Sequence, residues 1–353
     1  MTMCRSAVVK RAAVVAGMAA YVPSRLVKNS DLVVSIDTSD EWIRTRTGIE
    51  QRYMAGVGTS TSDLAVEAGR LALRSAGVTA VDTLILATST PDYTCPATAP
   101  AVAARLELGN IAAFDLAAVC SGFLYSMASA NALIVSGMAE SVLLIGADTF
   151  TRIVNPKDRG TAIIFGDGAG GMVLRAGCVH DPRGVFTFDM GADGDHVHLF
   201  HAPAGGSRQR SASCAVDADD RFVVMQGRKL FQHAVNRITS SCQSVLVKAG
   251  WGVSDVDLMV PHQANLRITS AVAARLGLSA DRAYSNIAHV GNTAAASLPI
   301  ALTDAVMSGR LKSGHHVLLA AFGAGLTWAA ATLIWPDVQA LSNRTNPQGE
   351  TDV

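Results

Sequence analysis

The chain has 353 residues, 49% of them hydrophobic and 16% charged, with a formal net charge of zero. That length and apolar content can bury a large core, and the charge balance excludes a nucleic-acid or anionic-membrane surface as the main partner. The six cysteines (Cys4, Cys95, Cys120, Cys178, Cys214 and Cys242) contain no Cys-x-x-Cys pair, which speaks against a disulfide scaffold or zinc module and for reduced thiols in the cytoplasm.

In chain order, Ala12 to Ala20 reads as a first core strand rather than a secretory h-region, because the apolar run is short and leads into Pro23-Ser24-Arg25. No other stretch is apolar enough to span a membrane. Thr38-Ser-Asp-Glu-Trp-Ile reads as a short helix with Ser39 at its N-cap. Ser62 to Ser75 reads as an amphipathic helix ended by Gly77, Thr83 to Thr88 as a strand and Ala97 to Leu108 as a helix. Ala112 to Val119 is expected as a strand that turns at Cys120 into a buried apolar helix running to Gly137. A thiol at a helix start faces unpaired N–H groups and the positive end of the helix dipole, so a lowered thiol pKa is expected there. Ser141 to Gly146 is the next strand. Phe165-Gly-Asp-Gly-Ala-Gly-Gly lacks the lysine of a phosphate loop and is expected to let two backbones pack closely.

Residues 177–222 form the least regular part. His196, His198 and His201 read there as members of a solvated loop, and no metal is expected. Gly227 to Gly250 is a helix, Asp257 to Pro261 a strand and Leu266 to Leu278 a helix. Ala294 to Gly309 is another helix, and His316 to Ala321 and Leu326 to Trp335 are closing strands, followed by a polar tail expected to fray.

The two halves repeat. Ala101-Val-Ala-Ala-Arg-Leu-Glu-Leu108 returns as Ala271-Val-Ala-Ala-Arg-Leu-Gly-Leu278, Val135-Ser-Gly137 as Met307-Ser-Gly309, and Val142-Leu-Leu as Val317-Leu-Leu, in the same order. At the offset of the middle match Cys120 aligns with Asn292. Two pseudo-symmetric helix starts are therefore expected to meet at one pocket, with His262 at the end of the Asp257–Pro261 strand. A Cys, His and Asn set fits papain-like hydrolysis or Claisen chemistry on thioesters. The sequence around Cys120 lacks the papain signature. An amide suits an oxyanion better than a base, which favours the second reading. His289 is a competing base.

At this point the chain resembles the β-ketoacyl-acyl-carrier-protein synthase III family of the thiolase superfamily, over about residues 10 to 335. The matching motifs are Thr38 to Ile49, the Cys120 segment, Asp158-Arg-Gly-Thr, Phe165 to Gly170, Val260 to Arg267, Gly291-Asn-Thr and Ala321 to Trp328. The resemblance implies an α/β thiolase-like duplicated fold, five-layered αβαβα, with an N-terminal half over residues 1–178 and a C-terminal half over 179–353. It implies a homodimer and a catalytic Cys120, His262 and Asn292. It also implies ping-pong condensation of an acyl-CoA with malonyl-acyl-carrier protein, with no cofactor. By motif, Trp42 and Arg159 match residues that sandwich the CoA adenine, Arg46 and Thr47 contacts to the nucleotide, and Ala264 and Asn265 the pantetheine channel. Arg267 matches a docking position for the carrier protein. Phe165 lies beside the site, and the backbone N–H groups of Cys120 and Ala324 match the oxyanion hole. Cys95 stands where the family caps the partner subunit's acyl pocket, often with a bulky aromatic. Together with Ala324 and the long loop at 200–223, this admits a longer or branched primer, or an acyltransferase of secondary metabolism. A non-catalytic partner subunit would lack Cys120, and a degradative thiolase would need a cysteine after Cys242.

Overall fold

The computed structural model describes residues 11–178, 186–212 and 217–344; Cys4, Cys214 and the last nine residues of the polar tail lie outside them. Two sheets form the frame. In the first, the spatial order is Ala340–Ser342, Arg11–Tyr21, Gly168–Cys178, Ser141–Asp148, Thr83–Ala87, Ala112–Leu116. In the second it is Leu258–Pro261, His316–Gly323, Thr327–Ile334, Thr187–Ala192. The second order repeats the first. Thr187–Ala192 takes the place of Arg11–Tyr21, and Leu258–Pro261 that of Thr83–Ala87. A single parallel bridge from Met259 to Ala283 stands where Ala112–Leu116 pairs in the first sheet.

Five layers follow from where each apolar face is buried. The Thr61–Ala76 helix covers the outside of the first sheet through Leu64, Ala68 and Ala72. The Gly122–Val135 and Ser297–Met307 helices lie between the sheets, where Phe123, Leu124, Leu298 and Leu302 share one core with both. The Gly227–Ala249 and Leu266–Leu276 helices close the far side through Val235, Ile238 and Val272. The two middle helices have almost no polar face, as expected of helices buried all round. Helix ends obey local chemistry: the Ser39 hydroxyl accepts the Trp42 N–H at 3.1 Å, and Gly77, Gly250 and Gly277 take left-handed C-cap conformations. The glycine-rich segment does admit close packing. A Cβ on Gly170 would lie 2.7 Å from Pro299, and one on Gly171 would lie 2.9 Å from the Ala68 carbonyl oxygen.

Five expectations of the fold need correction. Thr187–Ala192 is a strand within the stretch read as irregular, and Ala340–Ser342 pairs parallel with Met18–Ala20 where a frayed tail was expected. Both owe their conformation to distant partners rather than to their own pattern. The strand before Cys120 stops at Leu116, and the helix read over Ala97 to Leu108 spans only Ala99–Arg105, with Pro100 in its first turn.

The fifth correction concerns the repeat. Val119, with φ 47°, precedes Cys120; Ala294, with φ 49°, precedes Ala295. Each left-handed residue opens a 3-10 turn, Val119–Ser121 or Ala294–Ala296, that runs into a middle helix. The structural counterpart of Cys120 is therefore Ala295, and Asn292 lies three residues earlier. The sequence match at Val135 and Met307 misleads because the second helix, with 11 residues, is three shorter than the first, with 14.

Candidate active site

Cys120 sits on its elbow because the turn between the last two strands of the second sheet holds it there. The Thr327 hydroxyl donates to the Ala118 carbonyl at 3.1 Å, and the Ser121 hydroxyl donates to the Thr327 carbonyl at 3.1 Å. Gly323 packs so tightly that a Cβ on it would come within 2.9 Å of the Cys120 nitrogen. A non-glycine residue in the left-handed region is uncommon, and for a β-branched one such as Val119 it is strained, so this packing is what sustains it.

Cys120 lines an apolar cavity of about 150 Å³ together with His262, Asn292, Phe165, Ala264, Asn265 and Ala324. Its walls include Phe200, Leu230, Phe231 and Phe322. His262 follows the Leu258–Pro261 strand, and its N–H donates to the Ala320 carbonyl at 2.7 Å. The next residue anchors the segment: the Gln263 N–H donates to the Ser297 hydroxyl at 2.7 Å, and its side-chain oxygen accepts from Ser285 at 2.8 Å. The His262 ring is buried, and neither ring nitrogen has a partner among the described residues. Burial lowers its pKa to about 3, so the imidazole is neutral at physiological pH. A buried polar group without a partner is costly unless something that binds there satisfies it. The Asn292 side-chain oxygen accepts the Ala294 N–H at 2.9 Å, which leaves the NH2 end of the amide as the donor. The Asn292 backbone is pinned to Phe165 by a parallel bridge.

The expected lowering of the Cys120 pKa does not hold. Burial pushes the thiol up, and the nearby negative charge of Asp148 pushes it further in the same direction. The positive end of one short turn cannot offset this apolar surround, and no lysine or arginine among the described residues lines the cavity.

Asp148 is the residue that sequence reasoning missed. It is wholly buried at the end of the Ser141–Asp148 strand. One carboxylate oxygen accepts from the Ser89 N–H at 2.7 Å and the Thr90 hydroxyl at 2.9 Å, and the other accepts the Ala295 N–H at 2.9 Å. Burial raises its pKa to about 6 against the effect of these bonds. The clue in the sequence is an acidic residue closing an otherwise apolar strand.

The remaining candidates divide. Trp42 carries the Arg159 guanidinium 4.0 Å from its ring centroid and that of Arg46 at 5.7 Å, a cation–π cluster outside the cavity lining. The Asn265 amide is committed at both ends, donating to the Arg46 carbonyl at 3.0 Å and accepting the Arg267 N–H at 2.9 Å as the N-cap of its helix. Thr47 turns its hydroxyl inward. It is buried, and its hydroxyl donates to the Ile43 carbonyl at 2.7 Å and accepts the Ile49 N–H at 3.0 Å. Arg267 is exposed, as are Cys95 and His289, and none of the three lines the cavity.

Comparison with known proteins places the chain in a family. Residues 114–194 match the family model of 3-oxoacyl-[acyl-carrier-protein] synthase III, and residues 246–335 match the model of its C-terminal region. The chain is 54% identical over 330 residues to β-ketoacyl-[acyl-carrier-protein] synthase III 3 of Streptomyces coelicolor, covering 93% of this chain and 98% of that one. Among solved structures it is similar to 3-oxoacyl-(acyl carrier protein) synthase III from Pseudomonas aeruginosa. There the TM-score is 0.87 at 46% identity, over 93% of this chain and 99% of that one. It is also similar to the priming β-ketosynthase of the R1128 polyketide pathway, with TM-score 0.86 at 33% identity, over 93% and 97% of the two chains. The fold and the thiol-bearing cavity define a thiolase-fold condensing enzyme. The chain belongs to the β-ketoacyl-acyl-carrier-protein synthase III family.

Proposed function

We propose that this chain joins an acyl-CoA primer to malonyl-acyl-carrier protein by decarboxylating Claisen condensation, giving 3-oxoacyl-acyl-carrier protein through an acyl-Cys120 intermediate. The observation that carries this reading is the buried, neutral, unpartnered His262 in one cavity with Cys120 and Asn292.

In the first half-reaction the Cys120 sulfur attacks the acyl-CoA carbonyl, and CoA leaves as its thiol. Because the free thiol is held protonated, its proton must leave as attack proceeds; a neutral imidazole can accept it and pass it on to the departing CoA sulfur, so that no buried cation persists. The oxyanion faces the backbone N–H groups of Cys120 and Ala324. In the second half-reaction the malonyl thioester enters where CoA has left, beside the acyl-Cys120 carbonyl. His262 and Asn292 donate to its oxygen as carbon dioxide departs, and the enolate carbon attacks the acyl-Cys120 carbonyl and releases the thiolate. A neutral donor suits this step, because a cation buried here would carry a large desolvation cost. Trp42, Arg159 and Arg46 hold the CoA nucleotide at the mouth, Ala264 and Asn265 flank the pantetheine, and the exposed Arg267 meets the acidic carrier protein. A cytoplasmic homodimer completes the reading, with Cys95 of a second copy near the acyl end and the thiols kept reduced.

The test separates the two half-reactions. Wild type, His262→Ala and Asn292→Ala are incubated with acyl-CoA and followed by intact mass, then mixed with malonyl-acyl-carrier protein. Acyl transfer to Cys120 should persist in Asn292→Ala, while condensation falls about 100- to 1000-fold in each variant. An unmodified Cys120 in the wild type, or full condensation by both variants, would overturn the reading.

A further inference from the structure

A cluster of metal-ligating groups stands apart from the condensation cavity. Asp193, His196 and His233 each bring one ligand atom, a carboxylate oxygen or ring nitrogen, to within 4.8 Å of the others, and all three are half-buried. Asp193 and His196 come from the 3-10 segment Gly194–Leu199 and the residue before it, and His233 from the Gly227–Ala249 helix. His196 Nδ1 lies 3.0 Å from Asp193 Oδ1, and the two imidazole centroids are 4.4 Å apart. Of the histidine trio that the sequence suggests, only His196 takes part; the ring of His198 lies 6.2 Å away.

Asp193 is held in advance. Its backbone exchanges two hydrogen bonds with Leu326, at 2.8 and 2.7 Å. Its Oδ2 accepts from Arg237 Nη2 at 2.9 Å, and that guanidinium rests 4.6 Å over the Trp328 ring. Oδ1 is thereby turned toward the two histidines.

We propose that Asp193, His196 and His233 bind one divalent transition-metal ion of the zinc class. Two imidazole nitrogens and one carboxylate are a donor set that such ions favour, whereas magnesium and calcium call for more oxygen ligands. Zinc bonds of about 2.0–2.2 Å place tetrahedral ligands roughly 3.4 Å apart, a distance that half-exposed rings reach by a shift of about 1 Å. Water takes the fourth position. The ion ties two walls of the cavity together, since Phe200 follows the His196 segment and Ala234 follows His233, and both line it. None of the three ligands lines the cavity, so the site stands apart from the condensation reading.

The test is titration of the full chain with zinc by calorimetry and with cobalt(II) by visible absorption, in wild type, His196→Gln and His233→Gln. Melting temperatures without metal serve as the folding control. We expect one equivalent bound by wild type with a nitrogen–oxygen cobalt spectrum, affinity at least about tenfold weaker in each variant, and slower hydrogen exchange over residues 193–201 when zinc is added to wild type alone. No uptake by wild type, equal uptake by all three proteins, or a cobalt spectrum dominated by thiolate charge transfer would overturn the proposal.

Discussion

The elbow at Cys120 and the elbow at Ala295 are the same backbone built twice, yet one faces a cavity and the other is sealed. Both begin with a left-handed residue, and both feed a middle helix. At the first, Cys120 is half-buried and lines the pocket. At the second, Ala295 is buried and spends its N–H on Asp148. Gly146 lets it approach so closely that a Cβ there would lie 2.4 Å from the Ala295 carbonyl oxygen. Duplication thus supplied two equivalent helix starts. Divergence left a thiol at one and turned the other into a strut that steadies the site from behind, while Asn292, three residues upstream of that strut, reaches the pocket.

Exchange of the two roles has the largest expected effect. Cys120→Ala should lower condensation by about 10,000-fold or more, because no other thiol among the described residues lines the cavity. Adding Ala295→Cys should not restore acyl loading, since position 295 is sealed; acyl transfer to a thiol placed there, seen by mass spectrometry, would break the comparison.

Next in size is the strut. Asp148→Ala leaves the buried N–H of Ala295 without its acceptor and removes that of Ser89. Urea unfolding should show a loss of about 2–4 kcal/mol, with Asp148→Asn losing less because it keeps one acceptor oxygen. A loss below about 0.5 kcal/mol would mean that the second elbow needs no strut.

The smallest effect is in the acid limb of stability. The folded-state pKa of His262, about 3, lies below its ordinary 6.5. The unfolded chain therefore binds the extra proton between those values, and stability falls as pH drops through that window, by at most about 1.4 kcal/mol per pH unit. Asp148 has the opposite sign. Its folded-state pKa of about 6 lies above its ordinary 3.8, so it favours the folded state as pH falls from 6 to 3.8. Unfolding curves at about pH 7 and about pH 4.5 should therefore show a smaller acid loss for His262→Ala than for wild type, and a larger one for Asp148→Asn.

Much of this architecture was legible in the chain because it rests on local chemistry. Continuous apolar runs marked the buried strands, Ser39 and Gly77 marked helix ends, and a cysteine before an all-apolar helix marked the thiol that lines the cavity. His262 was legible as a histidine at a strand end, and Asn292 from the repeat, although by an alignment that the structure shifts by three residues. Thr47 carries over by motif alone, and only the fold shows that its hydroxyl is bonded inside.

The sequence by itself determined the duplicated α/β order, the family, and the three side chains that meet in the cavity. Tertiary structure alone decided the partner of Cys120 across the pseudo-symmetry, the burial that holds its thiol protonated, and the place of Asp148 between the elbows. It also decided the strand pairing of Thr187–Ala192 and Ala340–Ser342 and the meeting of His233 with Asp193 and His196. Each of these depends on contacts between residues far apart in the chain, and neither local periodicity nor capping chemistry carries information about such pairings.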